Sequence, residues 1–304
     1  MTSKVLVVLS GGQDSTTCLF WARERWDEVH ALTVNYGQRH ARELQAADVV
    51  ARMAGVASHK IIDIGKVLVG RSPLVNETEP LEQYQNAAQM EQVIGNRVEL
   101  TFVPMRNTMF LTIAANHALA VDAFDIVTGV CQADNANYPD CRADFLWRLE
   151  QAFNESLGLY VDSPWEFNER MFWAGRPVRL FAGGPRVVRL FAPLMNLDKD
   201  RAIIHVLRHL PVDAWLALAF SHTAYDGTYP PSGADHATVL RAASFEKANV
   251  PDPLILRAHF EGLVPLPETT NYLGARALGW PGTDLSEYLM NEYSVARAQH
   301  ILST

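Results

Sequence analysis

The chain has 304 residues, of which 48% are hydrophobic and 20% are charged, and its formal net charge is −8. This composition excludes a predominantly disordered or low-complexity chain, and the acidic balance argues against non-specific nucleic-acid binding. The three cysteines, an odd number in a long chain, do not make a disulfide framework. The apolar run near the start is too short for a signal peptide, and no run is long enough to cross a bilayer. We therefore expect a cytoplasmic globular protein without membrane contact.

The first half of the chain alternates between strand and helix patterns. Short apolar, β-branched runs predict buried strands, and longer stretches between them predict helices. The predicted strands are 4–9, 30–36, 60–64, 98–103 and 125–130, and the predicted helices are 15–26, 39–54, 107–121 and 140–157. This alternation predicts an α/β fold with a doubly wound parallel sheet. Residues 66–97 are polar and irregular, a connection longer than most, which favours a place near the functional site.

The second half is less regular. The pentapeptide VRLFA occurs at 178–182 and again at 188–192, with Gly183-Gly184 between, which is typical of a β-hairpin. Helices are predicted at 199–209, 238–248 and 285–302. We expect a nucleotide-binding α/β part at 1–220, with an inserted hairpin near 166–190, and a C-terminal helical cap at 221–304.

The most specific motif is SGGQDSTT at 10–17, between the first predicted strand and helix. Glycines let the backbone approach an anion, and the amides that open a helix attract phosphate oxygens. A polar strand–helix turn is the alternative, but this pattern is far more specific than two glycines. No GxxxxGK[ST] sequence is present, so a lysine-bearing P-loop is not supported. We predict phosphate binding by a contiguous set: Leu9, Ser10, Gly11, Gly12, Gln13, Asp14, Ser15 and Thr16.

The motif resembles that of the PP-loop ATP pyrophosphatase superfamily. The resemblance implies an adenine nucleotide alpha hydrolase-like fold, binding of ATP, and attack of a substrate oxygen on the α-phosphate with release of pyrophosphate. It also implies Mg²⁺, because several phosphate charges need neutralising.

Four further segments narrow the resemblance, and each lies at or after a strand end, where an open parallel sheet collects its ligand site. They are NYGQRH at 35–40 with Glu43, VPMRN at 103–107, YPDCR at 138–142, and PLM at 193–195 followed by LDK at 197–199. From about residue 4 to 250 the chain resembles the QueC family of 7-cyano-7-deazaguanine synthases.

The resemblance implies that ATP activates the carboxylate of 7-carboxy-7-deazaguanine, that ammonia gives the amide, and that a second adenylation leaves the nitrile. Lys199, Arg106 and Asp14 are the candidate catalytic residues, with helix-start ion pairing or a solvated position as alternatives for the two cations. A homodimer is also implied. Substrate binding is predicted for a larger set: Tyr36, Gln38, Arg39, Asn107, Asp134, Tyr138, Asp140 and Arg142.

The chain departs from the family at its zinc site. Where the family carries four cysteine ligands, this sequence has Ala224, Ser232, Asp235 and Thr238, so a zinc–thiolate site is not expected. A weaker site from His222, Asp235 and His236 is an alternative, although a metal-free loop is favoured.

Two further departures concern the pocket and a possible partner surface. Met105 replaces the usual glycine, and its side chain is expected to narrow the approach to ATP or substrate. Residues 166–189 look inserted and are rich in arginine and aromatics, which suits a partner-docking hairpin or simply a solvated one.

These features leave several functions open. The first is nitrile synthesis without structural zinc, and the second joins the deazaguanine carboxylate to an amine of a partner protein, as divergent QueC-like proteins of antiviral operons suggest. A non-catalytic nucleotide-binding module is the third, although the complete SGGQDSTT loop argues against it. tRNA sulfuration is disfavoured, because Cys131 and Cys141 do not have the spacing of a relay pair.

Overall fold

The computed structural model describes residues 2–39, 42–131, 137–158, 187–278 and 283–302. Its strands form one parallel sheet in the order β3-β2-β1-β4-β5. The strands are β1 (Lys4–Val8), β2 (Glu28–Asn35), β3 (Ser58–Asp63), β4 (Asp125–Val127) and β5 (Arg189–Phe191).

Helices flank this sheet and continue to the C-terminus, with single 3₁₀ turns at Pro139–Cys141 and Thr270–Tyr272. Those that accompany the sheet are α1 (Gln13–Arg23), α2 (Arg42–Ala54), α3 (Ala87–Ile94), α4 (Arg106–Ala120), α5 (Ala143–Ser156), α6 (Lys199–His209) and α7 (Val212–Leu218). Those that follow are α8 (His236–Lys247), α9 (Pro253–Phe260), α10 (Leu273–Leu278) and α11 (Leu285–Leu302).

Two apolar clusters, one on each face of the sheet, explain this arrangement. Val5 and Val7 of β1 point into a core shared with α1, α2, α6 and α7. Leu6 of β1 and Ile126 of β4 point into the opposite core, with α4 and α5. Strands buried on both faces read as continuous apolar runs, which is why the sequence pattern predicted them. The predicted doubly wound parallel sheet is confirmed.

The order of the strands reverses between β1 and β4. From β1 the chain moves outward through β2 to β3, and then returns to place β4 on the other side of β1. At such a switch point the connections leave the carboxyl ends of neighbouring strands in opposite directions and open a crevice. The polar motifs of the sequence follow β1, β2 and β4 at this edge.

One predicted strand is wrong. Residues 98–103 contain a turn at 100–101 and no strand. The expected alternation is inverted, because Glu99 and Thr101 are buried while Val98 and Leu100 are exposed. The buried polar groups are satisfied locally: the amide of Glu99 donates to the carbonyl of Asn137, and the carbonyl of Thr101 accepts from Ser72 Oγ. The alternating pattern of this segment therefore reflects buried polar side chains and not a strand.

Other differences concern lengths and missed helices. The predicted long connection contains α3, which Asn86 caps by accepting from the amide of Gln89. Helices α7, α9 and α10 are also present and had not been predicted. The half of the predicted hairpin at 178–182 lies outside the described residues, whereas 189–191 pairs in parallel with β4.

The described part of 221–304 is helical, and its last helix packs on α6 and α7. Trp215 Nε1 of α7 donates to the carbonyl of Leu289, and Arg208 Nη2 of α6 donates to the carbonyl of His300. None of the helices in the described ranges is long and apolar enough to span a membrane.

Candidate active site

A cleft of about 260 Å³ opens at the carboxyl ends of β1, β2 and β4. Its walls come from the loop after β1, the start of α4, the segment 222–225 and the start of α8. It gathers residues from most of the predicted motifs at the switch point of the sheet, where the fold predicts a ligand site.

The loop after β1 is preorganised by its own hydrogen bonds. Ser10 Oγ and Ser15 Oγ lie 3.0 Å apart, and the amide of Gly12 donates to Ser10 Oγ over 3.3 Å. Gly12 is the N-cap of α1, so the first amides of that helix face the cleft with the positive end of its dipole. Ser10, Gly12, Gln13, Asp14 and Ser15 all line the cleft.

Three of the predicted phosphate-binding residues do not reach the cleft. Leu9 is fully buried, and its amide donates to the carbonyl of Leu32 in β2. Thr16 is also fully buried, and its hydroxyl donates to the carbonyl of Gly12 over 2.8 Å. Gly11 adopts φ +85° and packs so tightly against α2 that an added Cβ would lie 2.4 Å from the carbonyl oxygen of Glu43. These residues shape the loop and do not line the cleft.

The start of α6 brings a lysine to the same loop. Lys199 Nζ donates to Asp14 Oδ2 over 2.6 Å and lies 3.4 Å from the sulfur of Cys131. Both partners of the Lys199–Asp14 pair are largely buried, with 12% and 20% of their side chains exposed. The predicted catalytic residues Lys199 and Asp14 are therefore in direct contact.

Arg106, the third predicted catalytic residue, begins α4 beside the carboxyl group of Glu43 and the phenol of Tyr36. Burial works to lower the pKa of Arg106, but the neighbouring oxygen groups, Tyr36 foremost, raise it above its ordinary value. Burial raises the pKa of Tyr36 to about 12 and that of Glu43 to about 7, in each case against the opposing effect of Arg106. Tyr36, Glu43 and Arg106 all line the cleft, where the guanidinium stays charged.

The opposite wall is built by Tyr138 and the start of α4. The hydroxyl of Tyr138 lies 2.5 Å from Thr101 Oγ1, behind the cleft, and burial raises the pKa of this phenol well above its ordinary value. Asn107 lines the cleft and holds the neighbouring Asp140, whose Oδ2 accepts from the amide of Asn107 over 3.4 Å. Burial also raises the pKa of the Asp140 carboxyl, against the effect of Arg106.

Only some of the remaining residues predicted to bind substrate line the cleft. Gln38 and Arg39 line the cleft; Gln38 Oε1 accepts from the amide of Tyr36, and Arg39 Nη1 donates to the carbonyl of Glu79 over 3.3 Å. Arg142 is exposed and does not line the cleft. Asp134 lies outside the described residues.

Met105 is not placed as expected. It precedes α4 with φ 67°, a left-handed conformation that favours glycine, and its side chain is 63% exposed and does not line the cleft. The expectation that it narrows the pocket is therefore wrong. The usual glycine at this position suits the backbone turn that starts α4.

The four positions of the family's zinc cysteines carry no metal-binding cluster. Ala224 is buried, Ser232 is exposed, and Asp235 caps α8 by accepting from the amide of Thr238 over 3.1 Å. Throughout the described ranges, no group of three or more histidine, cysteine, aspartate or glutamate side chains is placed to hold a metal ion. The alternative site from His222, Asp235 and His236 is therefore not supported.

A buried arginine ties this region together. Arg241 makes a bidentate pair with Asp252, with Nε–Oδ2 and Nη2–Oδ1 distances of 2.6 and 2.7 Å. Its Nη1 donates to Ser221 Oγ and Thr223 Oγ1, and its Nη2 also donates to the carbonyl of Leu218. All five donors of the guanidinium are used. The segment that would hold zinc in the family is thus anchored here by hydrogen bonds.

Several cleft residues were missing from the predicted site. Glu43 was given with the NYGQRH motif but not as a site residue, and His222 and His236 were considered only as metal ligands. Phe110 and Gly129 had no sequence signal, and Tyr225 had none as a site residue, because their elements approach the cleft only through tertiary packing. These lining residues are Glu43, Phe110, Gly129, His222, Tyr225 and His236.

Comparisons with known proteins identify the family of this chain. The family described as "Queuosine biosynthesis protein QueC" matches residues 4–249. The 7-cyano-7-deazaguanine synthase of Gloeobacter violaceus is 41% identical over 83% of this chain and 95% of its own length. The enzyme of the same name from Laribacter hongkongensis is 43% identical over 83% of this chain and 94% of its own length.

Solved structures match more weakly. A predicted subunit of a tRNA methyltransferase from Methanocaldococcus jannaschii is 17% identical, with a TM-score of 0.31, over 64% of this chain and 68% of that chain. The NAD+ synthetase of Burkholderia pseudomallei is 15% identical, with a TM-score of 0.30, over 99% and 83% of the two chains.

The parallel sheet, its strand order and the SGGQDS loop at the switch point define an α/β protein with the adenine nucleotide alpha hydrolase-like fold, of the PP-loop class. Within that class, the match over residues 4–249 and the identities above 40% decide the family. The chain belongs to the QueC family.

Proposed function

We propose that this protein uses ATP to adenylate the carboxylate of 7-carboxy-7-deazaguanine and transfers the activated acyl group to ammonia, giving 7-cyano-7-deazaguanine through the amide. The observation that carries the proposal is the placement of Lys199 and Arg106 in one cleft with the amides that begin α1. Family membership and the names of the relatives support the same reaction.

The chemistry explains why cations and amides are needed. A carboxylate oxygen attacks the α-phosphorus of ATP; the new P–O bond forms as the α–β bond breaks, and pyrophosphate leaves. Ammonia then attacks the acyl carbon, the C–N bond forms, AMP departs and the nitrogen loses a proton. Adenylation of the amide oxygen by a second ATP and loss of AMP with two protons leave the nitrile. In each adenylation negative charge moves onto pyrophosphate, which preorganised donors stabilise.

Each group of residues has a role in this scheme. The amides that begin α1 after Gly12, with the hydroxyls of Ser10 and Ser15, bind the pyrophosphate. Lys199 and Arg106 stabilise the charge that develops on the phosphates and on the acyl oxygen. The ring of Tyr138 and the side chain of Asn107 hold the deazaguanine.

Asp14 of the loop would be the protein ligand of Mg²⁺ in this cleft. Mg²⁺ is commonly held by one or two carboxylates together with substrate phosphates and water. When bound there, it neutralises phosphate charge.

The test is product formation by the full chain with ATP, Mg²⁺, the deazaguanine acid and ammonium. We expect pyrophosphate release that depends on the acid, and a product with the mass of the nitrile. Pyrophosphate release without any ammonia-dependent product rejects ammonia as the acceptor, and no release with any deazaguanine acid rejects adenylation.

A second candidate keeps the adenylation and changes the acceptor to an amine of a partner protein. It is favoured by the exposed Met105, a large apolar side chain held in a conformation that suits glycine, directly before the catalytic Arg106. Intact mass of a candidate partner after incubation with ATP and the acid distinguishes the two. A mass increase equal to the acid minus water supports ligation, whereas free nitrile from ammonia alone rejects it.

A further inference from the structure

A second cavity, of about 300 Å³, lies in the C-terminal region, against α11. Its walls come from the chain between α8 and α9, the 3₁₀ turn with the start of α10, and one face of α11. All lining residues but Asn249 follow the region that matches the family, which ends at residue 249. The family resemblance therefore assigns nothing to this cavity.

One buried carboxyl group faces this cavity. Glu292 of α11 lines it and is only 2% exposed, and no described residue donates a hydrogen bond to its Oε1. Burial raises the pKa of Glu292, and within the described ranges no cation offsets the effect. One turn earlier, the hydroxyl of Tyr288 is also buried without a hydrogen-bond partner among the described residues. Buried carboxyl groups are normally paired. Glu292 is therefore expected either to bind a ligand or to hold a proton.

The remaining lining residues restrict the class of ligand. The lining residues that the structure describes include no lysine, arginine or histidine, so an anion would meet only the repulsion of Glu292. A metal ion is not favoured, because in the described part of the chain no three metal-binding side chains come together. Val295, Ala296 and Leu273 add apolar surface beside the carboxyl group. One acid next to apolar surface suits an organic cation.

We propose that this cavity binds a small alkylammonium ion, whose charged nitrogen pairs with Glu292 and whose alkyl chain lies against the apolar wall. Asn271 is well placed to assist, since its amide is fixed by donation to the carbonyl of Val250 and by accepting from Thr269 Oγ1. Its oxygen keeps a second lone pair for an ammonium hydrogen.

Thermal unfolding of the full chain with n-butylammonium chloride tests the proposal, with n-butanol and sodium butyrate as neutral and anionic probes of similar shape. A ligand that binds only the folded state raises the unfolding temperature as its concentration rises. We expect such a rise, saturating at one ion per chain by calorimetric titration, with n-butylammonium alone. No rise, or an equal rise with n-butanol, overturns the proposal.

Two variants locate the effect. Glu292→Gln removes the charge at nearly constant volume, and Gly274→Leu fills the cavity from a position where an added Cβ meets nothing within 4 Å. Both should lose the n-butylammonium shift, and either one suffices if the other fails to fold. Glu287→Gln, at an exposed position of the same helix, is the matched control and should keep the shift. A full shift in folded Glu292→Gln or Gly274→Leu overturns the assignment.

Discussion

The ammonium group of Lys199 lies 2.6 Å from the carboxylate of Asp14, although 185 positions separate the two residues along the chain. Asp14 stands in the first turn of α1 and Lys199 begins α6, so the contact joins two helix N-termini on one cleft. It holds the lysine beside the loop that we propose for pyrophosphate.

This contact predicts a strong effect of removing the ammonium group. Lys199→Met should lower acid-dependent pyrophosphate release by about 100-fold or more, since loss of one preorganised donor has that magnitude. Asp14→Ala should abolish release while the far-ultraviolet circular dichroism stays that of the wild type. The matched control is Lys247→Met, which removes a surface lysine 3.0 Å from Asp200 and should leave the rate within a factor of two. Undiminished release in Lys199→Met would remove the assigned role.

The tight packing of Gly11 on α2 predicts a stability difference between two glycines. Gly11 and Gly55 both have positive φ, but only at Gly11 does an added Cβ meet backbone, at 2.4 Å. Gly55→Ala should therefore cost about 1–2 kcal/mol from the left-handed conformation alone. Gly11→Ala should cost about 1–3 kcal/mol more, because of overpacking. Urea unfolding measures both, and equal costs would contradict the close approach of the loop to α2.

The placement of Tyr138 predicts that its ring contributes to substrate binding and that its hydroxyl does not. Because its hydroxyl is bound to Thr101 behind the cleft, Tyr138→Phe should leave KM for the deazaguanine acid near the wild-type value. The same change should cost about 1–3 kcal/mol of stability, since it leaves a buried hydroxyl without its partner. Tyr138→Ala should raise KM by about tenfold or more, the scale of a lost stacking contact with a base. Steady-state kinetics decide, and a large KM increase in Tyr138→Phe would argue for direct recognition by the hydroxyl.

Glu43 predicts a pH dependence of stability. Its pKa is raised from 4.5 to about 7, so the folded state binds this proton more tightly than the unfolded state. The resulting stabilisation is complete below pH 4.5 and is lost as the pH rises to about 7. Relative to Glu43→Gln, the wild type should thus lose stability across this window. Denaturant unfolding at several pH values measures the slope, with exposed Glu91→Gln as the control that should retain it.

The Arg241–Asp252 pair predicts how the C-terminal region is held. Both side chains are buried, so Arg241→Met or Asp252→Asn should each lower the unfolding free energy by about 3–5 kcal/mol. The double variant should be less destabilised than the sum of the two, since each single change leaves a buried charge unpaired. Additive costs in urea unfolding would show that the pair does not couple α8 to the start of α9.

The sequence alone was enough for strands β1 to β4 and for the loop after β1. Val5 and Val7 lie in a continuous apolar run, and Ser10 to Ser15 follow it directly, so local pattern and local geometry coincide. The same holds for Lys199 and Arg106, which stand at helix starts marked by short motifs. Residues 98–103 show the limit, because an alternating pattern does not tell which of its two faces is buried.

What the sequence by itself determined was the parallel α/β fold and the position of the SGGQDS loop after β1, because both depend on residues adjacent in the chain. Only the tertiary structure decided that Asp14 and Lys199 touch, that Leu9, Thr16 and Arg142 stand away from the cleft, and that Glu43 and His236 line it. The physical reason is that contacts between distant segments depend on how helices pack across the sheet. That packing is set by the summed burial of many side chains and not by any one motif.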